Sequence, residues 1–296
     1  MKKEKLIVHG GASNIKGLSP LLEEKQKAVE RACEAVAGLT GMSAVDCVEK
    51  AAAALEDEAA LNAGYGSVVQ MDGRIRMDAA ICTSESRYGG IIQIENVKNP
   101  ICVARRLMEH DYHSLLSGAG AEQFAREEGF PSVSPMTESA MKAWLEARGD
   151  FEKLTYEALT AESNEINVRK LSTIGAVAID KDGRLAAACS TGGTKFCYPG
   201  RVGDTPIFGA GLYCSPHIAI ACTGEGDKIL RRLTARRVED EYLRHGNLQK
   251  ALDTAINDLF TAEKGYGGII ALTAGGETGF VHNTSFMAVT ETGARL

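Results

Sequence analysis

The 296-residue chain contains no run approaching the ~18 consecutive apolar residues that a membrane span needs. Its start, Met1-Lys2-Lys3-Glu4-Lys5-Leu6-Ile7-Val8-His9-Gly10, offers only a short apolar stretch. No membrane association and no secretory signal are expected, and a cytoplasmic location is. None of the eight cysteines forms a C-x-x-C pair, and several lie in apolar runs such as Ala186–Cys189 and Ala219–Cys222. They read as buried free thiols, not as disulfides or a zinc shell. The histidines include no H-E-x-x-H, and nothing near His110 and His113 completes a metal site. Basic residues are outnumbered, 33 to 39, and the densest cluster, Arg231, Arg232, Arg236 and Arg237, is followed by Glu239, Asp240 and Glu241. That pattern is a solvated helix face, and no nucleic-acid partner is expected. Proline is scarce at 7 against 32 glycines, so tight turns and close backbone approaches replace Pro-rich linkers.

Several common chemistries are missing as well. His9-Gly10-Gly11-Ala12-Ser13 is similar to an oxyanion loop of the α/β-hydrolases, but the chain has no G-x-S-x-G elbow. Gly118-Ala119-Gly120 and Gly209-Ala210-Gly211 lack the third glycine of a dinucleotide fingerprint, and Gly224-Glu225-Gly226-Asp227-Lys228 lacks the ending of a phosphate loop. What is present, 44% hydrophobic and 24% charged residues, is ample for a globular core.

The patterning mixes strands and helices without regular alternation. Strands are expected at 5–9, 67–70, 74–82, 90–95, 113–117, 173–180, 184–190, 217–223, 268–274 and 278–282. Helices are expected at 20–38, 43–60, 99–109, 119–128, 226–245 and 247–263. Asp72-Gly73, Asp182-Gly183 and Gly275-Gly276 mark hairpin turns. This is an α+β layered arrangement, with antiparallel sheets and helices outside. Residues 130–172 differ in texture. They are turn-rich and polar apart from a possible helix around Trp144, and a connector of that length marks a functional loop, a linker or a processed segment.

The strongest signal follows that connector. Leu171-Ser172-Thr173-Ile174-Gly175 begins a strand, Thr191-Gly192-Gly193 ends its partner, and Thr223-Gly224-Glu225-Gly226 ends another. Between them lies Arg201-Val202-Gly203-Asp204. Three threonines beside glycines at strand ends, with an arginine and an aspartate between, suit an active site better than a core.

With Ile7-Val8-His9-Gly10-Gly11, Leu61-Asn62-Ala63-Gly64-Tyr65-Gly66 and His282-Asn283-Thr284, these segments make the chain resemble the plant-type asparaginases, or isoaspartyl peptidases, of the N-terminal nucleophile (Ntn) hydrolases. The likeness runs nearly end to end. It implies a single domain over 1–296, a four-layer αββα sandwich, and a precursor that cuts itself between Ser172 and Thr173. The products would be an α subunit, 1–172, and a β subunit, 173–296, with 130–172 as the flexible tail of α, paired into a homodimer of αβ units. The substrate class it implies is L-asparagine and isoaspartyl dipeptides.

The chemistry explains the residue types. A threonine hydroxyl is a weak nucleophile and needs a base. Once Thr173 is an N-terminus, its own α-amine, with a pKa of about 7.7–8.0, serves as that base without histidine or cofactor. By resemblance, Thr191 orients the Thr173 hydroxyl, while Thr223 and the Gly224 N–H form the oxyanion hole. Arg201 grips the substrate α-carboxylate, and Asp204 with the Gly226 carbonyl takes the α-ammonium. Main-chain carbonyls of Leu55, Glu56, Glu58, Leu61, Ala63 and Tyr65 would hold a structural Na⁺, and Asn62 would brace the nucleophile region. Three departures stand out. Ser172 replaces the usual Gly or Asp, which bears on cleavage rate, while Cys82-Thr83-Ser84 and Ala12-Ser13 are expected on loops around the site, where they bear on substrate preference and leave the catalytic set intact. Two alternatives remain: a glycosylasparaginase with a wider pocket, and an uncut, non-catalytic amino-acid-binding homologue.

Overall fold

The computed structural model describes residues 4–14, 19–37, 41–110, 112–151 and 173–292. Eleven strands are found there: β1 Lys5–Ser13, β2 Met77–Thr83, β3 Tyr88–Ile94, β4 Leu115–Ser117, β5 Ile174–Ile179, β6 Leu185–Thr191, β7 Leu212–Cys214, β8 Ile218–Gly224, β9 Gly267–Thr273, β10 Thr278–His282 and β11 Phe286–Glu291. They form a seven-stranded sheet of order β11-β1-β5-β6-β2-β3-β4 and a four-stranded sheet of order β10-β9-β8-β7. Only β3–β4 is a parallel pair. The described helices are α1 Pro20–Ala37, α2 Ala44–Glu56, α3 Pro100–His110, α4 Gly118–Glu127, α5 Glu138–Phe151, α6 Gly226–Arg232, α7 Thr234–His245 and α8 Leu248–Glu263.

Strand alternation divides the core into three layers, because successive side chains of a strand point to opposite faces. On β1, β5 and β6 one set (Leu6 and Val8, Ile174 and Ala176, Ala186 and Ala188) packs with Val48, Leu55 and Ile101 of the first helices. The other set (Ile7, Val177 and Ile179, Leu185, Ala187 and Cys189) meets Ala219, Ala221, Ile270 and Leu272 of the four-stranded sheet. The far side of that sheet, with Ile218, Ile220, Ile269 and Ala271, packs on Val238, Leu252 and Leu259 of α7 and α8. The order is therefore helices, sheet, sheet, helices, an α+β architecture. Truncating a fully buried side chain here, such as Ile81 to alanine, costs about 2–5 kcal/mol.

Local differences from the sequence pattern have identifiable causes. The helix expected over 226–245 is two helices, interrupted at Leu233, whose φ of 48° is left-handed. The break lets the first turn of α7 dock, with Ala235 N–H donating to Ala210 O (3.1 Å) and Arg236 N–H to Gly209 O (2.8 Å). Carbonyls of the Gly209-Ala210-Gly211 turn thus satisfy amides that have no intrahelical partner. Residues 67–70 are not a strand, although the turn at Asp72-Gly73 forms, with Gly73 N–H bonded to Gln70 O. The helix expected over 43–60 runs from Ala44, capped by Ser43, whose side chain accepts the Asp46 N–H, and ends at Glu56. The short β7 and the final β11 carry too little pattern to be read in advance. Part of the expected flexible connector is packed. α5 lies within it, Trp144 Nε1–H donates to Met71 O (3.1 Å), and Met136, Ala140 and Trp144 join the helix-side core. Ser172 and the rest of 152–172 lie outside the described residues.

Candidate active site

Thr173, Thr191 and Thr223 all fall on the strand parity that faces the space between the sheets, with Val177, Cys189 and Ala221 respectively. The β5–β6 register pairs Ile174 with Ser190, so Thr173 stands across from Thr191 at the strand ends. Their hydroxyl oxygens are 3.4 Å apart, and Thr191 Oγ1 also accepts the Gly193 N–H at 3.1 Å. Asn62 fixes this corner from the other side: its Nδ2 donates to Gly193 O (2.7 Å) and its carbonyl accepts Gly192 N–H (2.9 Å). Gly192 is needed for this approach, since a Cβ there would lie 2.6 Å from Asn62 Oδ1.

Across the gap, Thr223 Oγ1 is buried and has no hydrogen-bond partner. Gly224 has φ +143°, where any Cβ would collide with Tyr266 O at 2.4 Å, so glycine is required. Gly226 sits where Asp204 and Arg201 converge: a Cβ on it would be 2.6 Å from Asp204 Oδ1 and 2.9 Å from Arg201 Nη2. Asp204 is placed by Gly211, whose N–H donates to Asp204 O at 3.1 Å. The Gly209-Ala210-Gly211 turn is therefore a scaffold for this loop. Asp204 Oδ2 is buried without a partner, and burial pushes the carboxyl up to about 7 despite the nearby Arg201. Arg201 forms its ion pair with Asp227 (Nη2–Oδ2 2.7 Å), not with Asp204.

Three further residues stand at the site to which the sequence reading gave no role there. Asp227 follows Gly226 directly. Asp78, across from Thr191 in the β2–β6 register, is buried, and burial pushes its carboxyl up to about 6. His9 is buried between the sheets with both ring nitrogens unpartnered, and burial lowers its pKa to about 3, so it is neutral near pH 7. The available signal was a single polar residue in an otherwise apolar strand: Val8-His9, and Met77-Asp78-Ala79. Cys82-Thr83-Ser84, expected on a loop around the site with a bearing on substrate preference, lies at the other end of β2, where Thr83 pairs with Ala186 while Asp78 pairs with Thr191. By contrast, Ser13 is tied to the α1 side through Lys25 Nζ (3.3 Å).

The loop after α2 carries inward-facing carbonyls. A Cβ on Gly66 would lie 1.9 Å from Leu61 O, 2.8 Å from Ala59 O and 3.0 Å from Glu58 O, and one on Gly64 would lie 2.4 Å from Glu56 O. Ala59 was not anticipated among them. Glu58 O and Ala63 O each accept one backbone N–H, which leaves each a second lone pair, whereas Leu55 O faces the N–H groups of both Asp57 and Glu58. Among the described residues no group of three His, Cys, Asp or Glu could hold a metal ion. An oxygen-only, mostly neutral donor set of this kind fits a hard monovalent cation and does not fit zinc.

A profile of the family described as Asparaginase (Asparaginase_2) matches residues 2–295. The chain is 40% identical over 297 residues to the plant-type L-asparaginase of Pyrococcus horikoshii, covering 96% of this chain and 94% of the relative. It is 36% identical over 287 residues to the isoaspartyl peptidase/L-asparaginase of Xenopus laevis (93% and 87% covered). It is 33% identical over 317 residues to the isoaspartyl peptidase of Escherichia coli (97% and 92% covered). No described helix is long and apolar enough to cross a membrane.

Proposed function

This chain belongs to the asparaginase family, and from that premise we propose that it is an autoprocessing threonine hydrolase. It cuts isoaspartyl dipeptides and the side-chain amide of L-asparagine, releasing aspartate. The observation that carries the reading is the convergence of three threonines on the inter-sheet gap, with Thr173 Oγ1 3.4 Å from Thr191 Oγ1. The layer order is then that of an Ntn-hydrolase αββα sandwich.

In the uncut chain the Thr173 hydroxyl attacks the Ser172 carbonyl. The peptide C–N bond breaks, the acyl group moves to Thr173 Oγ1, and the nitrogen leaves as the new α-amine. Water hydrolyses the ester, freeing the carboxylate of 1–172 and the N-terminus of 173–296. The same hydroxyl then attacks the substrate carbonyl, its proton passing to the amine and on to the departing nitrogen, and water hydrolyses the resulting β-aspartyl ester, releasing aspartate and restoring the Thr173 hydroxyl. Thr223 Oγ1, a buried donor without a partner, and the Gly224 N–H stabilise the developing oxyanion, at about 3–4 kcal/mol for a strong donor. Arg201 binds the α-carboxylate, and Asp204 with Gly226 O binds the α-ammonium. Thr191 orients the nucleophile, and Asn62 holds the Gly192-Gly193 corner behind it. The carbonyls of Leu55, Glu56, Glu58, Leu61, Ala63 and Tyr65 would hold Na⁺, which supplies loop rigidity and no chemical step. A cytoplasmic homodimer of processed units completes the reading.

The test is intact mass after prolonged incubation, then a substrate panel. The expected outcome is a new N-terminus reading Thr-Ile-Gly-Ala-Val, with hydrolysis of L-asparagine and not of its N-acetyl derivative. Activity in a demonstrably uncut chain would overturn the amine as base. Equal use of blocked and free substrates would overturn the head-group assignment.

A further inference from the structure

The threonines account for one end of the seven-stranded sheet only in part. On β2 and β3 a connected set of polar side chains is buried behind Arg201, and no step above uses it. β2 and β3 slip by one residue there, from Met77 opposite Ile94 to Ala79 opposite Ile91. The extra residue is accommodated at Gln93, whose φ of 53° is left-handed. A non-glycine residue in that region is uncommon, and bulges of this kind re-aim side chains next to functional sites. Here the bulge turns the Gln93 amide toward the head-group loop: Gln93 Nε2 donates to Arg201 O at 3.0 Å.

Gln93 is itself held on two sides. Its backbone N–H donates to Asp78 Oδ1 at 2.7 Å, and its Nε2 lies 3.5 Å from the same oxygen. Its Oε1 accepts from Gln70 Nε2 at 3.1 Å, and Gln70 Oε1 in turn accepts from Arg76 Nη1 at 2.6 Å. Arg76 is anchored by Asp72 and Glu95 at 2.8 and 2.9 Å. Asp78, Gln93 and Gln70 are all buried. A buried polar chain with its amides satisfied has one low-energy arrangement, so it holds its endpoint rigidly. That endpoint is the main chain of Arg201. The charge of Asp78 also acts on this loop, because the Arg201 guanidinium stabilises its carboxylate. The outer side of Arg201 is held separately by Asp227.

We propose that Asp78 and Gln93 are a positioning pair that sets the placement of Arg201, and through it the grip on the α-carboxylate of a free aspartyl head group. The pair touches neither the nucleophile nor the scissile bond. This assignment rests on the reading of Arg201 given above.

The deciding experiment uses Gln93→Leu, Asp78→Asn and Arg201→Lys singly, with Gln93→Leu also combined with Arg201→Lys. Each protein is scored for chain cleavage, for kcat and KM with L-asparagine, and for L-aspartate binding by calorimetry. Gln93→Leu is expected to raise KM and the aspartate Kd about tenfold, with kcat within about threefold and cleavage unchanged. Asp78→Asn, which keeps an acceptor for the Gln93 N–H, should show a smaller rise of about threefold. In the Arg201→Lys background Gln93→Leu should add less than about twofold, since residues acting through one another are not additive. Equal tenfold losses in both backgrounds, or a fall in kcat at constant KM, would overturn the pair. If Gln93→Leu does not fold, an unchanged KM in Asp78→Asn overturns it as well. Wild-type enzyme that binds no aspartate would instead overturn the clamp itself, and the pair's role with it, before any variant is compared.

Discussion

The two sheets bring unlike polar groups to the gap between them. On the seven-stranded sheet the residues around the threonine pair are already bonded, Thr173 to Thr191, Thr191 to Gly193, and Asp78 to Gln93, with His9 on β1 the exception. Facing them, on the four-stranded sheet and the loop that leads into it, Thr223 Oγ1 and Asp204 Oδ2 are buried and unpartnered. Buried polar atoms are nearly always satisfied, so an unsatisfied cluster calls for a role. On the function proposed above, the first wall would hold the nucleophile through Thr191 and position Arg201 through Asp78 and Gln93, and the second would keep its hydrogen-bonding capacity in reserve for a substrate. The contrast separates positioning residues from receiving residues, which residue type alone cannot do, since both walls use threonine and aspartate.

Four substitutions test that contrast. Thr173→Ala should abolish chain cleavage and lower hydrolysis on the order of 10⁴-fold or more, because the attacking atom is gone. Mass analysis and a discontinuous ammonia assay check this, and fragments in the mutant would place the nucleophile elsewhere. Thr223→Val removes one donor on the receiving wall. It should cut kcat about 10²–10³-fold with little change in KM, as expected of a group needed in the transition state. A change confined to KM would move Thr223 into ground-state binding. Asp204, pushed up to about 7 by burial, must be ionised to accept an α-ammonium. In wild type, kcat/KM for L-asparagine should therefore decline as pH falls through about 7. Asp204→Asn should lower activity at pH 8 about tenfold or more and remove that carboxyl's limb from the profile. An identical profile shape in the variant would assign the limb to the Thr173 amine alone.

The smallest effect concerns His9. Burial lowers its pKa from 6.5 to about 3, so the folded state binds fewer protons than the unfolded state. Its contribution to stability is complete above pH 6.5 and is lost as pH falls from there through 3. His9→Leu should flatten the stability curve between pH 4 and 6 by about one proton, ~1.4 kcal/mol per pH unit. Denaturant melts across that window provide the measurement, and an unchanged slope would mean that the imidazole is solvated in the native protein.

The sequence made much of this site legible. Thr173, Thr191, Thr223, Gly224 and Gly226 sit at strand ends or helix starts beside glycines, and such punctuation survives any tertiary arrangement. The hairpin at Asp182-Gly183, which sets Thr173 against Thr191, is a local signal for the same reason. Asp78, Gln93 and Asp227 escaped notice because their partners are distant along the chain: Gln93 meets Arg201 across 108 residues and Asp227 meets it across 26. A lone aspartate in Met77-Asp78-Ala79 marks a buried polar group but does not say what it faces.

Strand periodicity, turn dipeptides and glycine placement are written in short windows, and they determined by themselves the α+β class, most strand positions and the strand-end threonines, while the role of Thr173 among them came from the family resemblance. Which carboxylate pairs with Arg201, where the helix after Gly226 breaks, and which polar atoms stay unsatisfied were decided only by tertiary structure. Each depends on the register of strands far apart in sequence and on burial, which sets the cost of an unpartnered atom and the pKa of a carboxyl. A left-handed Leu233 has no local signature. It exists because Gly209 and Ala210, brought alongside by the sheet, offer carbonyls to the new helix start.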